Sequence, residues 1–380
     1  MTSGWDEDSR AKAILLPSGS PEWNVYVKRT SHDFFHTAEY HRVYENFGKS
    51  QAWLSVYGTL EKFVAWPFLV QSIKGLGPPS LGKLRDVTSV YGYTGPLAHG
   101  CEYDQQFLRA AWNATRSAWH SLGVVSAFTR FHPLLGNHRY VPSLRDECQD
   151  ADFDHDKYTR ARVTTAIDVT RSPEETWQSY REQYRRAVRR THALGMRVTS
   201  DPEWTYLDEF VNIYHSTLKR NRAAPFYFFS KAYLSRLREA LGPHGSLMLV
   251  HYRDEIAAAG LLIEYGGIVH VHLSATASNA LALSPSKLLI HEIQAWARSR
   301  HNLLVHLGGG RGSRPDDSLL HFKLGFSRKK YPFYTGRWVI GREKYNALTS
   351  ARSQFLSTSA EGDGEESFFP IYRAPLDPTF

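Results

Sequence analysis

The stretch from Ser246 to Leu307 constrains the fold more tightly than any other part of the chain. Three apolar runs, Ser246 to Tyr252, Glu255 to Tyr265 and Ile268 to Ala275, are separated only by Arg253-Asp254 and Gly266-Gly267. Breaks of two residues with that chemistry are hairpin turns, so the three runs should lie antiparallel in one sheet. Ser284 to Arg300 then carries helical apolar spacing, and Leu303 to Leu307 reads as a further strand. Gly308 opens a glycine-rich loop.

Upstream of this block the signals are helical. Ser172-Pro173-Glu174-Glu175 is a helix start: serine as N-cap, proline at the first helical position, glutamate three residues after the cap. That helix is expected to run to about Ala193, with Gly195 ending it. Tyr206 to Lys219 and Ser230 to Leu241 read as two more helices.

The first half alternates in the same way. Ala52 to Tyr57 and Phe63 to Leu69 read as strands around a turn at Thr59–Lys62. Tyr103 to Leu122 reads as a helix, with Phe107, Ala110, Ala111, Ala114 and Ala118 at helical spacing, and Val124 to Phe131 as the next strand. Pro142 to Tyr158 is acidic and aperiodic, an excursion or linker, and Ala161 to Val169 returns as a strand. Residues 353–367 read as a loop, while Phe368 to Arg373 is apolar enough to dock back on the body. The fold class expected is α/β (α+β): two domains at 1–165 and 166–344, each a mixed, largely antiparallel central sheet flanked by helices, with 345–380 packing on the first.

Composition narrows the function classes. Charged residues at 22% and hydrophobic residues at 42% describe a globular chain rather than a disordered one. No apolar run approaches the ~20 residues of a membrane helix, the N-terminus MTSGWDEDSR lacks an apolar signal core, and two cysteines do not make a disulfide framework. A soluble, cytoplasmic protein without membrane insertion is expected. The formal net charge of +8 favours anionic partners, although solvated basic faces explain such an excess equally simply.

The basic residues cluster. Six arginines and one glutamate fall between Arg181 and Arg197, and Arg181, Arg185 and Arg189 recur every fourth residue as a stripe. Seven basic residues and one acid fall between Phe322 and Lys344, including Lys329 and Lys330, interleaved with Tyr331, Phe333, Tyr334 and Trp338. Basic groups among aromatics suit a nucleic acid or a phosphorylated small molecule equally well, and Arg181, Arg185, Arg189, Lys329 and Lys330 are the candidate anion-binding set, the set that would meet tRNA if the donor is one.

Gly308-Gly309-Gly310-Arg311-Gly312 matches neither phosphate-loop nor dinucleotide fingerprints, so it reads as a loop whose backbone approaches a ligand closely. Asp316-Asp317-Ser318 can cap a short helix, which would bring Lys323 back toward the glycines. A lysine there can neutralise an oxyanion or a phosphate. His270-x-His272 has metal-ligand spacing but no matching third ligand in sequence, and neither a metal site nor a cofactor is expected. No G-x-S-x-G elbow or cysteine-nucleophile signature occurs, so no residue is marked as a covalent nucleophile.

The order strand, triple glycine, Asp-Ser-Leu, Phe-Lys, Gly-Phe-Ser from Gly308 to Phe326 resembles the C-terminal signature of the FemAB/FemX-like acyltransferases. Tyr214-x-x-Thr217-x-x-Arg220 followed by Ala224-Pro225-Phe226-Tyr227-Phe228 is similar to another block of that family, as are Tyr91-Gly92-Tyr93-Thr94-Gly95-Pro96, Phe131-His132-Pro133-Leu134 and Phe369-Pro370-x-Tyr372-Arg373. The resemblance spans nearly the whole chain and implies two tandem GNAT-like domains. It implies an aminoacyl group moved from aminoacyl-tRNA to a small-molecule or peptidic amine, making an amide. Lys323 would stabilise the tetrahedral intermediate. Phe322, Arg220, Tyr227, Tyr91, Tyr93, Gly309, Gly310 and Asp317 would bind substrate.

Two alternatives stay open. An acyl-CoA-dependent N-acyltransferase would share the fold, but the basic-x-x-Gly-x-Gly/Ala loop that holds the CoA pyrophosphate is missing between Val271 and Pro285. A non-catalytic RNA- or partner-binding protein on the same fold is the other.

Overall fold

The computed structural model describes residues 12–48, 50–73, 83–142, 157–311, 317–356 and 368–373. The chain divides into two compact units, residues 1–161 with 333–379, and residues 162–332.

The first unit runs β1 (Ile14–Pro17), α1 (Glu22–Lys28), α2 (Ala38–Gly48), β2 (Ser50–Thr59), β3 (Lys62–Ser72), β4 (Arg85–Thr88), β5 (Leu97–His99), α3 (Gln105–Ser121) and β6 (Val124–Arg130). Its sheet order is β1-β2-β3-β4-β6, with β5 also on β3. β2, β3 and β4 are antiparallel neighbours, and β6 returns through α3 to lie parallel to β4. β3 is apolar on nearly every residue and buried on both faces, as a central strand requires. α3 starts where the Asp104 carboxylate accepts the Phe107 N–H, and Leu108, Ala111, Trp112, Thr115 and Trp119 form its buried face.

The second unit runs β7 (Lys157–Asp168), α4 (Pro173–Ser179), α5 (Glu182–Ala193), β8 (Arg197–Asp201), α6 (Leu207–Arg220), α7 (Lys231–Leu241), β9 (Gly245–Tyr252), β10 (Glu255–Tyr265), β11 (Ile268–Thr276), α8 (Pro285–Ser299), β12 (Leu304–Gly309) and α9 (Ser318–Lys323). The sheet order is β7-β12-β11-β10-β9-β8. β9, β10 and β11 are consecutive antiparallel hairpins, and β12 returns through α8 parallel to β11. The turns behave as their residues demand: Arg253, Asp254, Gly266 and Gly267 all have positive φ. Both units therefore share one plan: two helices, three antiparallel strands, a helix, and a last strand parallel to the third.

β13 (Lys330–Val339) follows, with α10 (Arg342–Leu356) after it. Thr335 to Val339 pair with Arg130 to Ser126 of β6, so residues 333–344, assigned from sequence to the second domain, belong to the first unit. Trp338 is the physical reason. It is fully buried among Trp66, Trp112 and Trp119, with ring centroids 5.7, 4.9 and 6.2 Å away. Such aromatic pairs contribute about 0.5–1.5 kcal/mol each beyond their burial. Phe333 is buried as well, so two of the four aromatics read as a stacking surface are core residues. Residues 368–373 close this unit: the Tyr372 hydroxyl donates to Asp86 at 2.5 Å, and Arg373 Nε donates to the other Asp86 oxygen at 2.5 Å.

The helix expected from Ser172 to Ala193 is two helices. The capping box at Ser172 and Glu175 forms, but Tyr180 and Arg181 are extended and α5 starts again at Glu182. The break lets the Arg181 N–H bond to the Gly325 carbonyl at 2.9 Å. α10 runs through Leu356, so residues 353–356, expected as loop, are helical. Most of the linker expected at Pro142–Tyr158 and of the loop at 353–367 lies outside the described residues. No described helix is long and apolar enough to cross a membrane.

Candidate functional site

β11 and β12 pair over only Ile268–His270 and Leu304–His306. Beyond that, β12 shifts register against β7 at His306/Gly308 and ends at Gly309. Gly308 takes φ +75°, a conformation glycine adopts at no steric cost. Gly309 and Gly310 are glycines for a different reason. A Cβ on Gly309 would sit 3.1 Å from the Val163 carbonyl oxygen, and one on Gly310 would overlap the Asp317 carboxylate at 2.3 Å. The Asp317 side chain caps α9 by accepting the Leu320 N–H at 2.9 Å, and it also accepts the Arg311 N–H, closing the loop on itself. Residues 312–316 of that loop, Gly312 and Asp316 among them, lie outside the described residues.

α9 is one and a half turns long and sends Lys323 back to the end of β12. Its Nζ donates to the Gly309 carbonyl at 2.6 Å. Burial of the ammonium pushes the Lys323 pKa down to about 8, and the Asp317 charge offsets part of that. Phe322, beside it, joins a ring stack: Tyr184 at 5.9 Å and Phe326 at 5.5 Å, with Tyr184 and Phe326 5.0 Å apart. Gly325 makes the stack possible, since a Cβ there would lie 2.1 Å from the Tyr184 ring. Ser179 Oγ donates to the Phe326 carbonyl at 3.1 Å, so the α4–α5 break holds this turn from the other side.

A second lysine reaches the same stack. Lys287, in the first turn of α8, lies 4.9 Å from the Tyr184 ring centroid and donates to Ser284 Oγ at 3.3 Å. Burial lowers its pKa. Sequence reasoning did not select Lys287, because one lysine on an amphipathic helix carries no local signal of what packs over it. His270 has a similar history. Its Nδ1 lies 3.1 Å from Nδ1 of His306, its register partner on β12, so its neighbour comes from the next strand rather than from His272. Burial pushes His272 down to about 3, which keeps it neutral.

The other expected residues fall into separate groups. Arg220 is committed to the β11–α8 connection, donating to Ser278 Oγ at 2.8 Å and the Thr276 carbonyl at 3.1 Å. Tyr227 accepts the Tyr214 hydroxyl on its carbonyl at 2.8 Å, next to the exposed Phe226. In the first unit, the Tyr91 carbonyl accepts the Tyr40 hydroxyl at 2.6 Å. Tyr93 packs on Phe35, His132 and Phe333. Beside it Asp33 and His132, both fully buried, are 3.0 Å apart. That pair was not foreseen, since its members are 99 residues apart in sequence.

Of the arginine stripe, Arg185 and Arg189 lie on α5 and Arg181 does not. Arg181 precedes α5 and contacts His321. Arg185 is held by Glu182 and by the Gln178 and Tyr180 carbonyls, and Arg189 lies over Trp177. Lys329 lies 3.9 Å from Asp168, and Lys330 is exposed at the start of β13.

The topology defines a class: the chain has a mixed α/β GNAT-like fold, and a model described as "Acetyltransferase (GNAT) domain" matches residues 178–317, which include Lys287 and the glycine loop and stop short of Lys323. Within that fold, sequence and structure are similar to two FemX-type proteins. It is 25% identical over 225 residues to a UDP-N-acetylmuramoylpentapeptide-lysine N(6)-alanyltransferase of Weissella viridescens, a match covering 57% of this chain and 64% of that protein. Among solved structures, FemX aligns over 88% of this chain and 99% of its own, with a TM-score of 0.65 at 13% identity. The C-terminal domain of a putative lysylphosphatidylglycerol synthetase from Agrobacterium fabrum aligns over 90% and 98%, with a TM-score of 0.51 at 15% identity.

Proposed function

We propose that this protein is an aminoacyltransferase that moves an aminoacyl group from aminoacyl-tRNA to an amine, forming an amide. One observation carries the reading: a half-buried lysine ammonium, Lys323, tethered 2.6 Å from a main-chain carbonyl at the mouth of the β11–β12 divergence. An aminoacyl ester is already activated, so the reaction needs a neutral amine, a fixed approach and a charge for the tetrahedral oxyanion. Lys323 supplies that charge from a site where low local polarity strengthens it. Phe322 and Tyr184 form the apolar wall beside it. The sequence likeness to an enzyme that alanylates a lysine amine supports a peptidic or small-molecule amine as acceptor.

In this reading Asp317, Gly309 and Gly310 set the position of the Lys323 loop, Arg220 braces the β11–α8 connection, and Tyr227 binds substrate on the turn after α6. Tyr91 and Tyr93 do so on the first unit. Arg181, Arg189, Lys329 and Lys330 meet the tRNA phosphates, with Arg185 bracing the α4–α5 junction. The test is a transfer assay with charged tRNA and an amine acceptor. Product formation that ceases on RNase treatment is expected, and product formation that RNase leaves unchanged would overturn the donor assignment.

The match to an acetyltransferase domain favours acyl-CoA as the competing donor. Against it, the segment before α8 is a short 3-10 turn, Ser278–Leu283, closed by Ser284 at φ +60°, and it contains no glycine. Calorimetric binding of CoA with no binding of tRNA would decide for that reading.

A further inference from the structure

A cluster outside the acyl-transfer machinery has the composition of a metal site. His192, in the last turn of α5, and the adjacent His291 and Glu292 of α8 place one ligand atom each within 4.8 Å of one another. His192 Nε2 and Glu292 Oε1 are 3.5 Å apart. That separation is close to the ~3.3 Å edge of a tetrahedron built on bonds of about 2.0–2.1 Å. We propose that His192, His291 and Glu292 bind one divalent cation of the zinc type, which clips α5 to α8, with water completing the coordination.

The surroundings argue for a ligand rather than for an ion pair alone. A histidine–carboxylate pair needs two members, and here a third donor converges on the same point. The His291 ring is wedged edge-on between Trp177 at 5.2 Å and Tyr180 at 5.9 Å, which fixes its orientation before any ligand arrives. Its Nδ1 is buried and has no hydrogen-bond partner, as is the Tyr180 hydroxyl next to it. Buried polar atoms of this kind cost about 1–3 kcal/mol unless satisfied.

His192 is exposed and Glu292 partly so, leaving an open side for water and for entry of the ion. Two imidazoles and one carboxylate suit zinc, cobalt or nickel and disfavour magnesium or calcium, which prefer all-oxygen sites. Opposing charges come from Arg298, which donates to Gln294 and Thr176, and from Arg189 on the Trp177 face. These lower the affinity without blocking the donors.

The experiment is a Co2+ titration of the tag-free protein followed by visible absorption, with a ZnCl2 thermal-shift series in parallel. The wild type is expected to develop the absorption bands of histidine-ligated cobalt, saturating at one ion per chain, and to gain thermal stability with zinc. His192→Gln and Glu292→Gln, both at accessible positions, should each weaken binding by about a hundredfold. They should leave the metal-free melting temperature within a degree or two of the wild type, which separates loss of a ligand from loss of fold. His291→Gln adds a third arm, read only if its circular dichroism matches the wild type. Undiminished cobalt binding in both surface variants, or no binding by the wild type at micromolar metal, would overturn the proposal and leave His192–Glu292 as a surface ion pair. The outcome is independent of the donor assignment above, since no acyl transfer is measured.

Discussion

Lys323 Nζ donates to the carbonyl of Gly309 at 2.6 Å, joining the end of a short helix to the end of the strand 14 residues before it. The contact uses one of three ammonium protons and leaves two for a ligand. It also fixes where the charge sits relative to the backbone. Lys323→Met should therefore lower kcat about a hundred- to a thousandfold, the usual cost of removing an oxyanion donor, with a much smaller change in KM. Steady-state kinetics of transfer check this, and full activity in the variant would remove the assignment.

The lowered pKa of Lys323 gives the reaction a pH signature. As an oxyanion stabiliser it must be charged, and with a pKa near 8 it is charged below that value and neutral above it. The rate should therefore fall as pH rises through about 8. A general base would show the opposite limb. Lys323→Arg stays charged throughout, so its residual activity should lack the alkaline fall. A pH–rate profile of the two proteins separates the roles.

Gly325 and Gly195 are matched probes of packing. Gly195 has φ +78° and open space where a Cβ would go, whereas the Cβ site at Gly325 is filled by the Tyr184 ring. Gly195→Ala should cost only the backbone penalty, about 1 kcal/mol. Gly325→Ala should cost roughly 1–3 kcal/mol through overpacking. Because Tyr184 touches both Phe322 and Lys287, it should also impair transfer. Urea unfolding and activity of both variants read the difference.

Asp86 anchors residues 368–373 by accepting from Tyr372 and Arg373, while Ser126 Oγ donates to it at 2.8 Å. Its side chain is only 4% exposed. Asp86→Ala would leave a buried hydroxyl and a guanidinium without their acceptor, at a cost of about 3 kcal/mol. Hydrogen exchange should show lost protection in 368–373 and α10 before the rest of the first unit.

Much of the second unit was legible from local signals. The β9–β10–β11 hairpins follow from apolar runs broken by two residues, and the start of α4 from Ser172, Pro173 and Glu175. The glycine loop and Lys323 could be named because Asp317 is a recognisable cap. Local sequence, a period and a turn residue determined these, since each depends on neighbours within one or two turns of chain.

What the tertiary structure alone decided depends on residues far apart. The break at Tyr180–Arg181 exists because Gly325, more than a hundred residues away, offers a carbonyl that a continuous helix could not reach. The basic, aromatic run around Trp338 resembles a nucleic-acid surface in sequence, yet Trp338 is core, because three tryptophans from β3 and α3 surround it. Lys287 and the His192–His291–Glu292 cluster have the same cause. Periodicity says which face of a helix is buried, but only packing says what that face meets, and the desolvation that tunes Lys323 arises from the meeting rather than from the residue.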